Sequence, residues 1–125
     1  MARILVTEDD IAVRSFVSRA LELDGHEIMT AEDGEDALEV LTAEEGAFDL
    51  LLTDVKMPIM DGIALTHRAS RQWPGMPILM MTGYADQRER AKDLELIVKD
   101  VVTKPFSLAD IRTAVEGALE DELVA

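Results

Sequence analysis

The sequence predicts one α/β domain, in which helices pack on both faces of a parallel sheet. Short apolar runs with the composition of buried strands alternate five times with stretches whose apolar residues recur at helical spacing. The connections between these elements are two to eight residues long, as is usual in α/β units. Because a strand–helix–strand crossover is almost always right-handed, repeated units of this kind form a parallel sheet covered on both sides.

The first half of the chain contains three predicted strands, at residues 3–7, 26–30 and 48–53. The helix between the first two strands ends at Gly25. Its apolar residues recur at helical spacing and are Val13, Phe16, Val17, Ala20 and Leu21. The second helix follows Asp33-Gly34, and its apolar face consists of Ala37, Leu38 and Leu41.

The second half contains predicted strands at 77–81 and 98–102. The helix before the first of these ends at Trp73-Pro74, and its apolar residues are Ile63, Leu65 and Ala69. Another helix is predicted near residues 86–95. Ser107 caps the final helix with Asp110 at its third position, a variant of the capping box. The apolar stripe of this helix consists of Leu108, Ile111, Val115 and Leu119.

Four of the predicted strands end on polar or charged groups. These groups are Glu8 and Asp9 after the first strand, Asp54 after the third, Thr82 after the fourth and Lys104 after the fifth. The carboxyl ends of parallel strands share one edge of the sheet, where ligands bind, so we expect these side chains to meet in one pocket. A carboxylate buried at a strand end costs free energy unless a partner compensates for its burial.

Glu8, Asp9 and Asp54 would form a cluster of carboxylates. At a separation of roughly 5 Å and an effective dielectric constant of about 20, each pair would repel by about 3 kcal/mol. A cation would relieve this repulsion, and oxygen donors without histidine or cysteine suit Mg²⁺ better than Zn²⁺. An aspartate beside Mg²⁺ and a lysine can attack phosphorus, because both cations neutralise charge on the transferring group.

With these residues the chain resembles the receiver domain of two-component response regulators. The matching motifs occur in the family's order: Glu8-Asp9, Asp54 with Met57-Pro58 and Asp61-Gly62, Thr82-Gly83, and Lys104-Pro105-Phe106. The resemblance covers essentially the whole chain. It implies a flavodoxin-like (βα)5 fold, a doubly wound parallel sheet with strand order 2-1-3-4-5, and a cis Lys104-Pro105 peptide bond.

The resemblance also implies a role for each residue of the pocket. Asp54 would accept a phosphoryl group from a histidine kinase or a histidine phosphotransferase, Thr82 would be the switch hydroxyl, and Lys104 would contact the phosphoryl group. Mg²⁺ would be bound by Asp9, Asp54 and the backbone carbonyl of Lys56, with Glu8 acting mainly through water. Such a protein catalyses only its own phosphorylation and dephosphorylation, and is not otherwise an enzyme.

Two positions depart from the usual receiver pattern. Val101 lies three residues before the lysine, where receivers usually have a tyrosine or phenylalanine that turns inward on activation. We therefore expect the phosphate to act through the loops after the third and fourth strands, at 56–60 and 83–87, where Tyr84 is the nearest other ring. Glu8 replaces the commoner aspartate, and its longer side chain favours water-mediated contact with the metal.

Residues 1–125 are expected to form the receiver domain without an output domain. Among single-domain receivers the chain is most similar to the CpdR class, which controls proteolysis by ClpXP, so ClpX or an adaptor is a candidate downstream partner. The terminal Leu123-Val124-Ala125 is similar to C-termini that ClpX recognises, although a frayed helix end would look the same.

Three other functions compete with that of a phosphorylation switch. A phosphorelay intermediate would have the same pocket. A phosphohydrolase that uses an aspartyl phosphate usually has a second aspartate two residues after the nucleophile, where this chain has Lys56. A flavodoxin-like cofactor carrier is disfavoured because the acidic pocket would repel the phosphate of a flavin.

The composition restricts the partners and the location that we expect. A net charge of −14 argues against nonspecific binding to nucleic acid or to an anionic membrane surface. The chain has no cysteine, which excludes disulfides and thiolate chemistry. Neither a signal peptide nor an apolar span of about 18 residues is present, so we expect a cytoplasmic protein.

Overall fold

The computed structural model describes residues 2–83, 94 and 97–124. The strands are β1 Arg3–Thr7, β2 Glu27–Ala31, β3 Leu50–Asp54, β4 Ile78–Thr82 and β5 Asp100–Thr103. In the described part of the chain the helices are α1 Ile11–Leu23, α2 Gly34–Ala43, α3 Gly62–Gln72 and α4 Leu108–Val124. The helix predicted near residues 86–95 lies almost entirely outside the described residues.

The five strands form one parallel sheet in the order β2-β1-β3-β4-β5, which confirms the predicted flavodoxin-like arrangement. This order makes β1 and β3 neighbours although α1, β2 and α2 separate them in the sequence. Thr7 at the end of β1 pairs with Thr53 in β3. Glu8 and Asp54 directly follow these two threonines and therefore lie side by side. They lie at the point where the strand order reverses, which is where such sheets bind ligands.

Strand boundaries differ from the prediction by one or two residues. β3 and β4 each extend one residue further, so that Asp54 and Thr82 are the last residues of their strands. β5 begins at Asp100 because the amides of Ile97 and Val98 both donate to the carbonyl of Leu94 in a turn. An apolar sequence cannot distinguish such a turn from the first residues of a strand.

Aspartate side chains begin three of the helices at the edge where the strands end. Asp10, Asp33 and Asp61 accept hydrogen bonds from the backbone N–H groups of Val13, Asp36 and Ala64, respectively. The predicted capping box of α4 is confirmed, because Ser107 and Asp110 each donate an amide to the other's side chain at 3.0 Å. These caps satisfy N–H groups that have no partner within a helix, and they fix where each loop returns to the sheet.

Two apolar clusters lie on opposite faces of the sheet. Leu5, Leu51 and Ile78 belong to the cluster under α2 and α3. Ile4, Leu52 and Leu79 belong to the cluster under α1 and α4. Successive side chains of a strand point to opposite faces, so a strand covered on both sides must be apolar at nearly every position. All five residues of β3 and of β4 are buried, and these two strands form a rigid support for the pocket at their ends.

Candidate functional site

Three carboxylates meet where β1 and β3 end. One oxygen from each of Glu8, Asp9 and Asp54 lies within 4.8 Å of the others. Glu8 is fully buried and Asp54 is 5% exposed, whereas Asp9 lies at the open side of the cluster. The predicted convergence of these side chains is confirmed, and the pairing of β1 with β3 is its cause.

Lys104 reaches into this cluster from the loop after β5. Its Nζ lies 2.9 Å from Oε1 of Glu8 and 3.2 Å from Oδ2 of Asp54. The backbone amide of Lys104 donates to the carbonyl of Thr82 at 2.7 Å, which ties this loop to the end of β4. The Lys104-Pro105 peptide bond is cis, as expected from the resemblance. One ammonium group thus bridges two carboxylates that come from different strands.

The protonation of these groups follows from their surroundings. Burial and the neighbouring carboxyl of Asp54 raise the pKa of Glu8 to about 8, although Lys104 acts in the opposite direction. Burial lowers the pKa of Lys104, but Glu8 and Asp54 outweigh that effect and the net shift is upward. At neutral pH the lysine is therefore charged, while Glu8 retains a proton because one ammonium group does not balance the cluster.

The donor set fits a hard cation. Oε2 of Glu8 is buried and has no hydrogen-bond partner among the described residues. An unpartnered buried oxygen is costly, and a metal ion with its bound water would provide the missing partner. The carboxylates of Glu8, Asp9 and Asp54 are oxygen ligands, which Mg²⁺ prefers to nitrogen or sulfur. That the carbonyl of Lys56 completes the site stays a prediction.

The carboxylate of Asp54 is oriented by its own loop. Its Oδ1 accepts the backbone N–H of Val55 at 2.9 Å, which leaves Oδ2 for Lys104. Gly62 packs directly on the carbonyl of Asp54, and a Cβ atom at this position would overlap that oxygen. The amide of Gly62 donates to the carbonyl of Val55 at 2.7 Å. A glycine at position 62 is thus required for the loop to fold back against the end of β3.

Arg14 is a residue of the site that sequence reasoning missed. Its Nη1 donates to the backbone carbonyl of Glu8 at 2.8 Å, and the amide of Glu8 donates to Ala31 at 3.1 Å. Both backbone groups of Glu8 are therefore held in place. The position of Arg14 in the first turn of α1 could have suggested this contact, because helical side chains point towards the N-terminus of their helix.

A cavity of about 630 Å³ opens beside Asp54 and Lys104. Its polar side is lined by Asp54, Lys56, Gly83 and Lys104, and its apolar side by Ala12, Val13, Phe16, Pro105 and Phe106. Phe16 belongs to the set of apolar residues that recur at helical spacing in α1, yet it is 40% exposed, and its ring centroid lies 6.4 Å from that of Phe106. This ring lines an accessible surface next to the pocket, because the wide apolar stripe of α1 extends beyond the part that the sheet covers.

Of the other residues singled out in the sequence, Thr82, Val101 and Ile59 belong to the described part of the chain. Thr82 is fully buried at the end of β4, one strand away from Asp54. Val101 is half-buried in β5 and pairs with Met80. Tyr84 and most of the predicted loop at 83–87 lie outside the described residues. Ile59, in the other predicted loop, is 76% exposed.

Comparison with known proteins identifies the family. Residues 4–116 match the family described as the response regulator receiver domain. The chain belongs to that family. Like other receiver domains it is a signalling module and not a conventional enzyme, and an acidic pocket that binds Mg²⁺ is typical of the family. Among the described residues there is no helix with the length and apolar character that crossing a membrane requires.

Relatives of this receiver differ in length. The response regulator receiver protein CpdR of Brucella abortus is 38% identical, and the match covers 95% of this chain and 98% of that protein. The alkaline phosphatase synthesis transcriptional regulatory protein PhoP of Bacillus subtilis is 33% identical over 98% of this chain and 50% of the relative. The probable transcriptional regulator ycf27 of Cyanophora paradoxa is 34% identical, and the match covers 94% of this chain and 48% of the relative. The chain thus spans about half the length of the latter two.

Solved structures of receiver domains have the same fold. A receiver domain protein from Clostridium thermocellum superimposes with a TM-score of 0.90 at 25% identity, covering 99% of this chain and 98% of the other. A CheY-like receiver from Methanospirillum hungatei gives a TM-score of 0.89 at 29% identity with the same coverage. The fold and the strand order are therefore those of the family.

Proposed function

We propose that this receiver is a switch phosphorylated on Asp54 by a histidine kinase or a histidine phosphotransferase, and that phosphorylation changes its binding to another protein. The observation that carries the proposal is the position of Asp54, in a carboxylate cluster with its Oδ2 3.2 Å from the ammonium of Lys104. This combination of a carboxylate nucleophile, a cluster that fits a cation and a lysine suits phosphoryl transfer.

In the proposed reaction Oδ2 of Asp54 attacks the phosphorus of a phosphohistidine. A phosphorus–oxygen bond forms while the phosphorus–nitrogen bond to the donor breaks, and the nitrogen retains the bonding electrons. The amide of Val55 holds Oδ1, so that Oδ2 is presented to the cavity. Lys104 neutralises charge on the phosphoryl oxygens. Mg²⁺ held by Asp9, Asp54 and the Lys56 carbonyl would supply further neutralising charge when it is bound.

Glu8 is proposed to support both cations. Its Oε1 accepts a hydrogen bond from Lys104 at 2.9 Å and positions the ammonium beside Asp54. Its free Oε2 would accept a hydrogen bond from a metal-bound water molecule, in agreement with the indirect contact that the longer side chain favours. Arg14 holds the backbone of Glu8 and thereby the turn that carries Asp9.

The readout is proposed to involve the loop at residues 56–60. Thr82 is the proposed switch hydroxyl, but Val101 offers no aromatic ring that could follow its movement. Ile59 is exposed and lies in the loop that leaves Asp54 directly. A partner that binds one arrangement of this loop more tightly would shift the population in the same direction as phosphorylation. Tyr84 is the proposed aromatic contributor from the next loop.

The proposed partners follow from the surface beside the pocket. Phe16 and Phe106 line an apolar wall next to Asp54, and Ile11 is 70% exposed close by, so a helix of the phosphoryl donor can dock there. The match to CpdR over nearly the full length of both chains supports an output through protein binding, with ClpX or an adaptor as the proposed target. A phosphorelay intermediate is the alternative, and both roles place the protein in the cytoplasm.

Incubation with acetyl phosphate and Mg²⁺ tests the proposal. Intact mass spectrometry should show the addition of one phosphoryl group, and peptide mapping should locate it on Asp54. Asp54→Asn should remain unmodified, because an amide does not replace the carboxylate nucleophile. Asp100→Asn is a matched control, since Asp100 is exposed at the opposite end of β5. Full modification of Asp54→Asn, or phosphate found on Thr53 or Thr82, would refute the assignment.

A further inference from the structure

The helices α2 and α3 expose opposite charges side by side. A groove of about 650 Å³ runs between them. Glu35 and Glu39 line its α2 side, Arg68 lines its α3 side, and Leu38 and Met60 provide apolar surface between them. Both glutamates and the arginine are exposed, whereas Leu38 and Met60 are half-buried. The groove therefore combines an acidic wall, a basic wall and an apolar floor.

These charges have no ion-pair partner in the part of the chain that the structure describes. The ion pairs recorded among the described residues involve Arg3, Lys104 and Arg112, and none of them includes Arg68, Glu35 or Glu39. The groove lies on the opposite face of the sheet from the α1–α4 side, which carries the apolar wall of the pocket. It is thus separate from the surface proposed for the phosphoryl donor.

An exposed apolar residue adjoins the groove. Ile59 precedes Met60, is 76% exposed and has a φ angle of 69°. A β-branched residue seldom adopts this left-handed conformation, so surrounding contacts must hold it there. Two such contacts are visible: the carbonyl of Met60 accepts the amide of Gly34 at 3.0 Å, and the amide of Met60 donates to Pro58 at 2.7 Å. The loop thereby presents an isoleucine to solvent at the end of the groove.

We propose that this α2–α3 face binds a second copy of the same chain about a two-fold axis. A two-fold axis that runs along the groove places α2 of each copy against α3 of the other, so that two identical pairs form between Glu39 of one copy and Arg68 of its partner. Leu38, Met60 and Ile59 would be covered in the same contact. Each copy carries a net charge of −14, which opposes self-association in general, so two copies can meet only at a face that offers charges of both signs.

The expected association is weak. Stable complexes generally bury at least about 1,200 Å² of surface in total. A groove between two short helices offers only a few apolar residues for burial at the centre of such an interface. Sedimentation equilibrium at protein concentrations up to about 1 mM covers the range in which weak dimers are measured. The protein is used without a phosphoryl donor, so that the result does not depend on the proposed function.

Charge reversals test the proposed pairing. Glu39→Arg and Arg68→Glu should each raise the dimer dissociation constant at least about tenfold, because each places like charges opposite one another. An equimolar mixture of the two variants should associate again, since in the mixed dimer every introduced charge faces its opposite. No chain in the mixture carries both reversals, so an ion pair formed within one chain cannot explain this recovery. Glu22→Arg and Arg19→Glu on the exposed side of α1 are matched controls and should leave the constant unchanged.

Three results would overturn the proposal. One is a wild-type protein that remains monomeric over the whole concentration range. A second is a dimer whose dissociation constant neither reversal changes, and the third is a mixture that fails to associate while both variants retain the wild-type circular dichroism spectrum. If Glu39→Arg does not fold, Glu35→Arg replaces it in the mixture, because Glu35 lines the same wall.

Discussion

At the scale of single residues, the site depends on the different surroundings of the two carboxylate oxygens of Glu8. Oε1 binds Lys104 and Oε2 has no partner among the described residues. The acidic residues after β1 and β3 were predictable because strand ends are visible in the sequence. Which oxygen of Glu8 binds Lys104 was not predictable, because it depends on the distance from Glu8 to a lysine 96 residues away. The contact of Arg14 with the carbonyl of Glu8 spans only 6 residues, but it also escaped prediction, because periodicity does not report hydrogen bonds of side chains.

The raised pKa of Glu8 predicts how Mg²⁺ binding depends on pH. Below about pH 8 the cation must displace the proton of Glu8, so its affinity should rise with pH towards 8 and level off above it. One released proton corresponds to at most about a tenfold change in affinity per pH unit. Isothermal titration calorimetry in buffers of different ionisation enthalpy measures both the affinity and the proton release.

Two variants provide the controls for this pH dependence. Glu8→Gln cannot release a proton at this position. Its affinity for Mg²⁺ should therefore change by much less than about tenfold per pH unit between about pH 6.5 and 8.5. Asp9→Ala should weaken binding at every pH, because it removes a ligand rather than the titrating group. A wild-type affinity that is constant across this range would contradict the assignment of the proton to Glu8.

At the scale of secondary-structure elements, the loop from β3 to α3 is the most constrained connection of the site. Gly62 packs on the carbonyl of Asp54, and Gly34 at the start of α2 packs on Met60. The glycine after Asp61 was visible in the sequence as part of a motif. The sequence did not show why a glycine is needed at this position. The backbone of a neighbouring element occupies the space of a Cβ atom, and only the packed loop shows this.

Gly62→Ala should destabilise the protein and impair phosphorylation. The added methyl group would overlap the carbonyl oxygen of Asp54, and forced overpacking of this kind costs about 1–3 kcal/mol. Displacement of Asp54 should also slow its modification by acetyl phosphate. Urea unfolding and the initial rate of phosphorylation measure the two effects.

Gly117→Ala is a matched control for this substitution. Gly117 lies in α4, and its hypothetical Cβ has no atom of another described element within 4 Å, so the change to alanine should stabilise the helix by about 0.5–1 kcal/mol. Its phosphorylation rate should equal that of the wild type. If Gly62→Ala proved as stable and as active as Gly117→Ala, the close approach to Asp54 would not matter for folding or for the site.

At the scale of the whole molecule, the sheet separates two cores and joins the strand ends into one pocket. Side chains of β1 alternate between the clusters, with Leu5 under α2 and α3 and Ile4 under α1 and α4. The pocket lies above both cores, and the proposed self-association face lies on only one side of the sheet. Distinct surfaces are therefore available for the phosphoryl donor and for a second copy.

This separation predicts that substitutions in the two cores act independently. Ile78→Val, in the cluster under α2 and α3, and Ile4→Val, in the other cluster, should each cost about 0.5–1.5 kcal/mol. In the double variant the losses should add to within about 0.5 kcal/mol, because the two side chains face opposite sides of the sheet and share no cavity. Urea unfolding of the four proteins gives the coupling energy, and a value above about 1 kcal/mol would show that the cores are not independent.

The sequence by itself determined the alternation of strands and helices, the polar residues at the strand ends and the family to which the chain belongs. Periodicity and capping residues are recognised within a few neighbouring residues, and the order of the motifs is read along the chain, so none of these features requires knowledge of a tertiary contact. The tertiary structure alone decided which oxygen of Glu8 binds Lys104, and that Glu39 and Arg68 line one groove. Such contacts join residues that are distant in the chain, and they depend on strand order and helix packing, which bring together groups that the sequence only places in order.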